Sequence, residues 1–470
     1  MSLLHRDKSP EGSDESLSPS LKGSFGGVAA PPTSFGRAFV QPTPSGELTR
    51  RLKGSVPSLQ PKEFHMHLDI LVLGGGASGM MAALAAKQTA PGLAVAIVEA
   101  LPRLGKKLLA TGNGRCNLMN DLALPASYTG DADFAAPALS LYCKSSPALW
   151  SGLGLRLMRE DEGRVYPATN QASSVLDVLR LALRERGIEE ITGARVTSLS
   201  RVRGGLKAQG EGFCHSASRV ILATGGLAGK GLGENDSFQR LLTPLGHRIT
   251  PLYPALACLK TARQDVAGLK GVRLRGEIRL LMEERCLMCE RGEVLFQEDG
   301  LSGIAAMQLS IAASPLLKQG RRLSAMLSPL PDEAKSEVER RVRLYPERPA
   351  EELMTGAVNR LIGLLALKRS GISPSRRAGT LSPGEVEALS RELTKWEIRL
   401  VGTGDFSQAQ VMLGGADTED FDPATLRSRR VPELYAAGEL LNITGPCGGY
   451  NLEWAWASGM LAGQAAARSL

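Results

Sequence analysis

A chain of 470 residues has room for roughly three domains at about 150 residues each, and a hydrophobic content of 43% with 53 glycines suits an α/β protein rich in tight turns. The net charge of +8 comes from 56 basic and 48 acidic residues dispersed along a chain that is only 4% aromatic, which argues against a nucleic-acid-binding module. Seven scattered cysteines argue against a disulfide framework, and no secretory leader or membrane span is visible, so a cytoplasmic enzyme without a membrane partner is expected.

Residues 1–66 are rich in Ser, Pro and Gly and read as a disordered extension that cannot bury a core. His65 and His67 have no acid or cysteine cluster beside them, so no metal site is expected. The chain then changes character. Asp69 to Leu73 is an apolar run of strand type, Gly74-Gly75-Gly76-Ala77-Ser78-Gly79 follows the pattern G-x-G-x-x-G, Met80 to Lys87 is helical in composition, and Ala94 to Val98 is a second strand. Glu99 ends that strand about twenty residues after the last glycine. Gly74 permits the turn, Gly76 lets backbone approach a pyrophosphate, and Gly79 lets helix and strand pack closely. The helix N-terminus faces the phosphates. Glu99 is placed to accept hydrogen bonds from an adenosine ribose and disfavours a 2′-phosphate, so FAD or NAD fits here and NADP does not.

From Leu104 to Asn117 the chain holds glycines, asparagines and an arginine too polar for a core element, a loop suited to phosphate or an isoalloxazine edge. A helix is expected from Ser174, capped by that residue with Asp177 completing a capping box; Leu176, Leu179 and Leu183 lie on one face and Gly187 ends it. Residues 194–223 read as strands that end in Thr224-Gly225-Gly226, a second close backbone approach.

Between residues 251 and 406 an inserted substrate-side domain is expected. Val272 to Met282 and Glu293 to Phe296 alternate like antiparallel strands, and a helical subdomain covers about 331–397. Its helices run from Asp332 to Leu344, from Glu351 to Arg369, and from a Ser382 cap with Pro383 and Glu385 in the first turn. Cys286-Leu287-Met288-Cys289 lacks both a helix N-terminus and a second pair, so neither redox nor zinc chemistry is expected of it. The βαβ style returns over residues 407–470, where Leu434 to Glu439 is a strand ending in Gly-Glu and Gly445 to Asn451 leads into the helix Leu452 to Arg468. Ala455, Gly459 and Gly463 permit that helix to pack closely on the first one, aiming its N-terminus at the cofactor. There its dipole would stabilise the anion of a reduced flavin pyrimidine ring.

Taken together, GGGASG (Gly74 to Gly79), GKKLLATGNGRCN (Gly105 to Asn117), GRVYPATNQASSVLDVL (Gly163 to Leu179), LATGG (Leu222 to Gly226), LFQEDGLSG (Leu295 to Gly303) and LYAAGELLNITGPCGGYNLEWAWASG (Leu434 to Gly459) make the chain resemble, over residues 67–470, a bacterial family of FAD-dependent oxidoreductases named for bile-acid dienone reductases and aminoacetone oxidases. The resemblance implies a flavoprotein of the two-dinucleotide-binding type: an α/β, Rossmann-like FAD-binding domain (67–250 and 407–470) interrupted by a β-barrel plus helical domain (251–406). It also implies that Gly74, Gly76, Ala77, Ser78, Gly79 and Glu99 hold the adenosine-diphosphate half of FAD. Lys107, Thr111, Gly112, Asn113 and Gly114 would lie beside the pyrophosphate and flavin, with Thr224 and Gly225 on the second strand. Gly438 and Glu439 would take the ribityl or phosphate region, and Gly449, Tyr450 and Asn451 would meet the ring. The sequence departs from the family at Leu227 to Gly233, in place of a Pro-x-Thr-Gly-Ser run, and at Asn442, where an acid is common.

The expected activity is passage of a hydride from NAD(P)H through FAD to a small organic acceptor such as a conjugated C=C bond. Oxidation of a small amine with oxygen, and an FAD-holding interaction or nucleic-acid-binding role, are the alternatives. No Ser/His/Asp arrangement or acid pair marks a catalytic group. Cys116, in the Gly-Arg-Cys-Asn turn, is expected to be a packing residue, with Cys447 the one redox partner its motif position allows.

Overall fold

The computed structural model describes residues 67–229, 231–233 and 236–470. The expected extension at 1–66 lies outside the described residues, as does His65. The chain enters through β1 (His67–Leu73), turns through the glycines into α1 (Ala77–Thr89), and returns as β2 (Val95–Glu99). β1 is the centre of a seven-stranded sheet. It pairs in parallel with β2 on one side and with the strand Phe213–Leu222 on the other. Glu189–Thr192 extends the β2 edge. Beyond Phe213–Leu222, the antiparallel hairpin Val196–Val202/Gly205–Gly210 covers one half of that strand and Leu434–Ala436 covers the other. The parallel centre, Ile70 to Leu73 and Val95 to Val98, is buried throughout, as expected of strands covered on both faces.

One face of this sheet carries α1, and α1 in turn carries the C-terminal helix Tyr450–Arg468. Both glycines of that helix are contact points. A Cβ on Gly459 would stand 2.3 Å from the Ser78 carbonyl oxygen, and one on Gly463 2.1 Å from that of Ala82. Gly79 does the same within the turn, where a Cβ would meet the Gly74 carbonyl oxygen at 1.9 Å. These approaches leave no room for even a methyl group, which fixes both helices over the sheet.

The barrel is closed by six strands in the order Leu259–Thr261, Gly300–Ser302, Arg285–Phe296, Arg273–Met282, Leu323–Ser328 and Trp396–Thr403. Its apolar core is filled by residues such as Leu274, Ile278, Leu280, Val294, Ala325, Leu327 and Trp396. The helix Ile304–Lys318 packs across the barrel and on the strand Tyr253–Ala255, which pairs with Val411–Leu413 outside the barrel. The helices Ala334–Leu344, Ala350–Leu353, Arg360–Arg369 and Pro383–Thr394 form a separate apolar cluster.

Three expectations about helix ends need correction. The helix expected from Ser174 starts at Ala172 with Gln171 at its cap. Its apolar stripe begins at the buried Ala172, and the Ser174 hydroxyl instead accepts from Thr169 Oγ1 at 2.8 Å. The helix expected over Glu351 to Arg369 is two helices, because Asn359 caps a new one through its side chain to Leu361 N. The C-terminal helix begins at Tyr450, two residues early, with Gly449 as its cap. The Ser382 capping box with Glu385 is present in full.

Candidate functional site

Gly74 takes φ +110°, which places Gly75 to Ser78 at the sheet's C-terminal edge with the α1 N-terminus behind them. A long cavity opens there, with about 1330 Å³ of empty space when its open mouth is included. Gly74, Gly76, Ala77, Ser78, Glu99, Lys107, Thr111, Thr224, Gly225, Glu439 and Asn451 all line it. Residues far apart in sequence therefore meet along one path from Glu99 to the N-terminus of the C-terminal helix.

The other expected residues stand outside this lining. Gly79 sits behind the turn, and a Cβ on Gly438 would stand 2.4 Å from Ser78 Oγ, so both serve packing. Gly112, Asn113 and Gly114 are exposed. Gly112 and Asn113 each take φ 56° to form the turn that follows Thr111. Gly449 lets the helix start against strand backbone, since a Cβ there would lie 2.5 Å from the Met119 carbonyl oxygen. Tyr450 stands edge-on to Tyr128, and its carbonyl accepts from the Tyr128 hydroxyl at 3.0 Å.

Several lining side chains are already engaged. Glu99 Oε2 accepts from Gly75 N and Oε1 from Leu101 N, both at 2.8 Å, so this carboxylate ties the glycine turn to the end of β2. Lys107 Nζ donates to Glu439 Oε2 at 2.6 Å, while Glu439 Oε1 accepts from Met412 N at 3.0 Å. The amide of Asn451 is spent on the preceding loop: Nδ2 donates to the Gly445 carbonyl and Oδ1 accepts from Gly445 N, each at 2.8 Å. Asn451 thus shapes the loop, and helix backbone is what the cavity meets.

An FAD suits these residues. A Cβ on Gly76 would project into open space, with no atom within 4 Å, and one on Gly225 would meet only Glu439 Oε2, at 4.0 Å. A side chain at either place would occupy room that a backbone-bound phosphate needs. Thr224 Oγ1, on a residue lining the cavity, is buried without a partner among the described residues.

Three groups at the far end were not singled out by sequence. Glu453, in the first turn of the C-terminal helix, is 6% exposed; burial pushes its carboxyl up to about 7, against the hydrogen bond it accepts from Asn120 N at 3.0 Å. Its signal was periodicity, since Glu453, Trp456, Ala457 and Met460 share one helical face. On the barrel side, Gln308 Oε1 accepts from Cys447 N at 2.8 Å and its Nε2 donates to Glu290 Oε2 at 3.2 Å. Beside them Tyr253, Met307, Ile311 and Cys447 pack on Ala255, Leu256, Val411 and Leu413, an apolar wall that reaches the cavity at Val411.

A glycine-rich turn between parallel strands, an acid ending the second strand and a helix N-terminus at the other end of the cavity make this an FAD-dependent oxidoreductase of Rossmann-like fold with an inserted barrel. The chain belongs to the HI0933-like family, whose Rossmann-domain pattern it matches over residues 68–465. It is 36% identical over 402 residues to the 3-dehydro-bile acid delta(4,6)-reductase of Clostridium scindens, covering 84% of this chain and 98% of the relative. It is 27% identical over 397 residues to the ribosomal RNA dihydrouridine synthase of Escherichia coli, covering 83% of this chain and 96% of that one. Among solved structures, the 3-ketosteroid delta1-dehydrogenase of Sterolibacterium denitrificans aligns with a TM-score of 0.43 at 15% identity, over 86% of this chain and 100% of that one.

Proposed function

We propose that this enzyme passes a hydride from NAD(P)H through FAD to a small organic acceptor whose C=C bond is conjugated to a carbonyl. The observation that carries the reading is the apolar cluster of Tyr253, Met307 and Ile311, which meets the cavity through Val411. An apolar, conjugated body suits that wall, and the similarity to a dienone reductase supports the same chemistry.

The flavin, when bound, supplies two-electron hydride chemistry. The chain's own residues bind and orient it. The backbone of Gly76 and Ala77 and the α1 N-terminus would hold the pyrophosphate. Glu99 keeps lone pairs for a ribose beyond the two backbone N–H groups it already accepts. Lys107 would face the phosphates from its pairing with Glu439. At the ring end, the N-terminus of the helix Tyr450–Arg468 supplies a positive dipole end. No helix among the described residues is long and apolar enough to cross a membrane, and dependence on NAD(P)H suits the cytoplasm.

A second reading takes RNA as the acceptor. The uracil C5=C6 bond is also conjugated to a carbonyl, two relatives are ribosomal RNA dihydrouridine synthases, and the chain carries a net +8. Against it, many arginines of the helical cluster are neutralised by carboxylates: Arg340 and Arg341 by Glu337, Arg369 by Glu392, Arg376 by Glu385 and Arg377 by Glu347. Phosphate binding draws on free cationic side chains.

The test is anaerobic reduction of the purified yellow enzyme by NADH or NADPH, followed by mixing with a 3-oxo-4,6-diene bile acid, ribosomal RNA or oxygen. Bleaching by the nicotinamide and fast recovery of colour with the dienone is the expected result. Recovery with RNA alone selects the second reading, and recovery with oxygen alone selects an oxidase.

A further inference from the structure

We propose that Glu290 is the acid that protonates the substrate carbon, acting from the barrel side of the site; this rests on the reading of the reaction given above. In the strand Arg285–Phe296, Glu290 stands opposite Ile278, which belongs to the apolar core of the barrel. Residues directly opposite on antiparallel strands project to the same face. Glu290 therefore stands in the inward row with Val294, where a carboxyl loses hydration.

Its surroundings do not neutralise it. The other acids of this hairpin's ladder have arginines: Glu277 pairs with Arg279 and Arg291, and Glu293 with Arg273. Among the described residues Glu290 has no such ion pair, and accepts instead from the neutral amide of Gln308. Gln308 connects it to the flavin side, because the same amide holds Cys447 N in the loop that leads into the C-terminal helix. Met307, adjacent to Gln308 in sequence, and Ile311 belong to the apolar cluster that meets the cavity through Val411, so the Gln308 amide carries Glu290 to the edge of that cluster.

The titratable and charged groups around it are Glu162, which pairs with Arg164, and Cys447. Burial first, and then the Glu162 carboxylate, raise the Glu290 carboxyl above its ordinary value, against the Gln308 hydrogen bond. Cys447 holds its proton more tightly, pushed up to about 12 by burial. Glu453, in the first turn of the C-terminal helix, is bonded to Asn120 N.

In the addition, the β-carbon of the enone receives a hydride from the reduced cofactor and the α-carbon receives the proton of the Glu290 carboxyl. The C=C π bond breaks, two C–H bonds form, and the carboxylate left on Glu290 regains a proton from water. The charge balance closes without a further reactant.

The experiment compares wild type and Glu290→Gln holoenzyme, each reduced anaerobically and reoxidised in stopped flow by a 3-oxo-4,6-diene bile acid or by ferricyanide, which takes electrons without protonating a carbon. Bound FAD, read by absorbance, reports integrity. General acid catalysis contributes about 100-fold or more. The expected result is a fall of at least about 100-fold in the dienone rate relative to the ferricyanide rate. An unchanged ratio with active wild type overturns the assignment to Glu290 alone. A wild type that the dienone never reoxidises overturns the functional reading and the assignment with it.

Discussion

The two ends of the cavity are built differently. At the glycine-turn end the protein works with backbone: Gly74 turns at φ +110°, Gly76 leaves open space, and the Glu99 side chain braces Gly75 N and Leu101 N. Beyond the other end, on the barrel side, side chains from different parts of the chain meet, with Gln308 and Glu290 from the barrel and its helix and Cys447 from the loop before the last helix. A dinucleotide is the same molecule for every enzyme that uses it, so a fixed backbone frame suffices; an acceptor differs between enzymes, and replaceable side chains can follow it. The first end should therefore fail through shape and the second through protonation.

The largest effect is expected from Gly79→Ala. A Cβ 1.9 Å from a backbone oxygen cannot be relieved by a side-chain rotation, and the strain should cost about 3 kcal/mol or more. Lower melting temperature and loss of bound FAD check this; full FAD content would break the contrast. Glu99→Gln should lower the stability of the apoprotein by about 1–3 kcal/mol, because the lost charge serves two backbone N–H groups, and, on the proposed role at the ribose, should also weaken FAD binding. An apoprotein melting temperature equal to wild type would confine Glu99 to the ribose.

The contrast also explains what could be read from the sequence. Gly74 to Gly79 and Glu99 are legible because each residue type answers a local backbone need. Barrel strands showed as alternation at Val272 to Met282, where the inward row is apolar. Glu290 and Gln308 were silent. Their significance comes from closure of the barrel and from packing of the helix Ile304–Lys318 against a loop more than a hundred residues later, neither of which leaves a local pattern. Gly112 to Gly114 were legible as a turn: Gly112 and Asn113 each take φ 56° there.

Glu453 gives a pH-dependent test at the far end. Its carboxyl is pushed up to about 7 by burial, above the 4.5 of a free glutamic acid. The folded protein then retains a proton that the unfolded chain has released at intermediate pH. The stabilisation is fully present below about 4.5 and is lost as pH rises through about 7, a change on the order of 3 kcal/mol. Glu453→Gln keeps an oxygen for Asn120 N–H and removes the titration. The variant should gain stability relative to wild type between about pH 5 and about pH 8, as measured by denaturant midpoints. A difference that stays constant with pH would place the Glu453 carboxylate in a solvated setting.

The smallest effect is expected at Cys116, which lies between the two ends in sequence and touches both questions. Its position beside Arg115 suggests a reactive thiolate, since a nearby cation lowers a thiol pKa. Burial wins instead. Cys116 is 0% exposed, and loss of hydration pushes its thiol up to about 12 in spite of the Thr111 contact. Cys447, its one partner by motif position, is free and is likewise pushed up to about 12. Burial that holds both thiols protonated disfavours a dithiol relay at neutral pH, and the role expected of Cys116 is that of a small buried hydrophobe. Cys116→Ala should keep its FAD and at least a tenth of the rate of flavin reduction, a barrier change of no more than about 1.4 kcal/mol. The measurement is stopped-flow reduction by NAD(P)H beside thiol counting in the oxidised and reduced enzyme. Loss of turnover by several orders of magnitude with FAD in place, or two thiols appearing only on reduction, would overturn the packing role and extend side-chain chemistry to the loop beside the cavity.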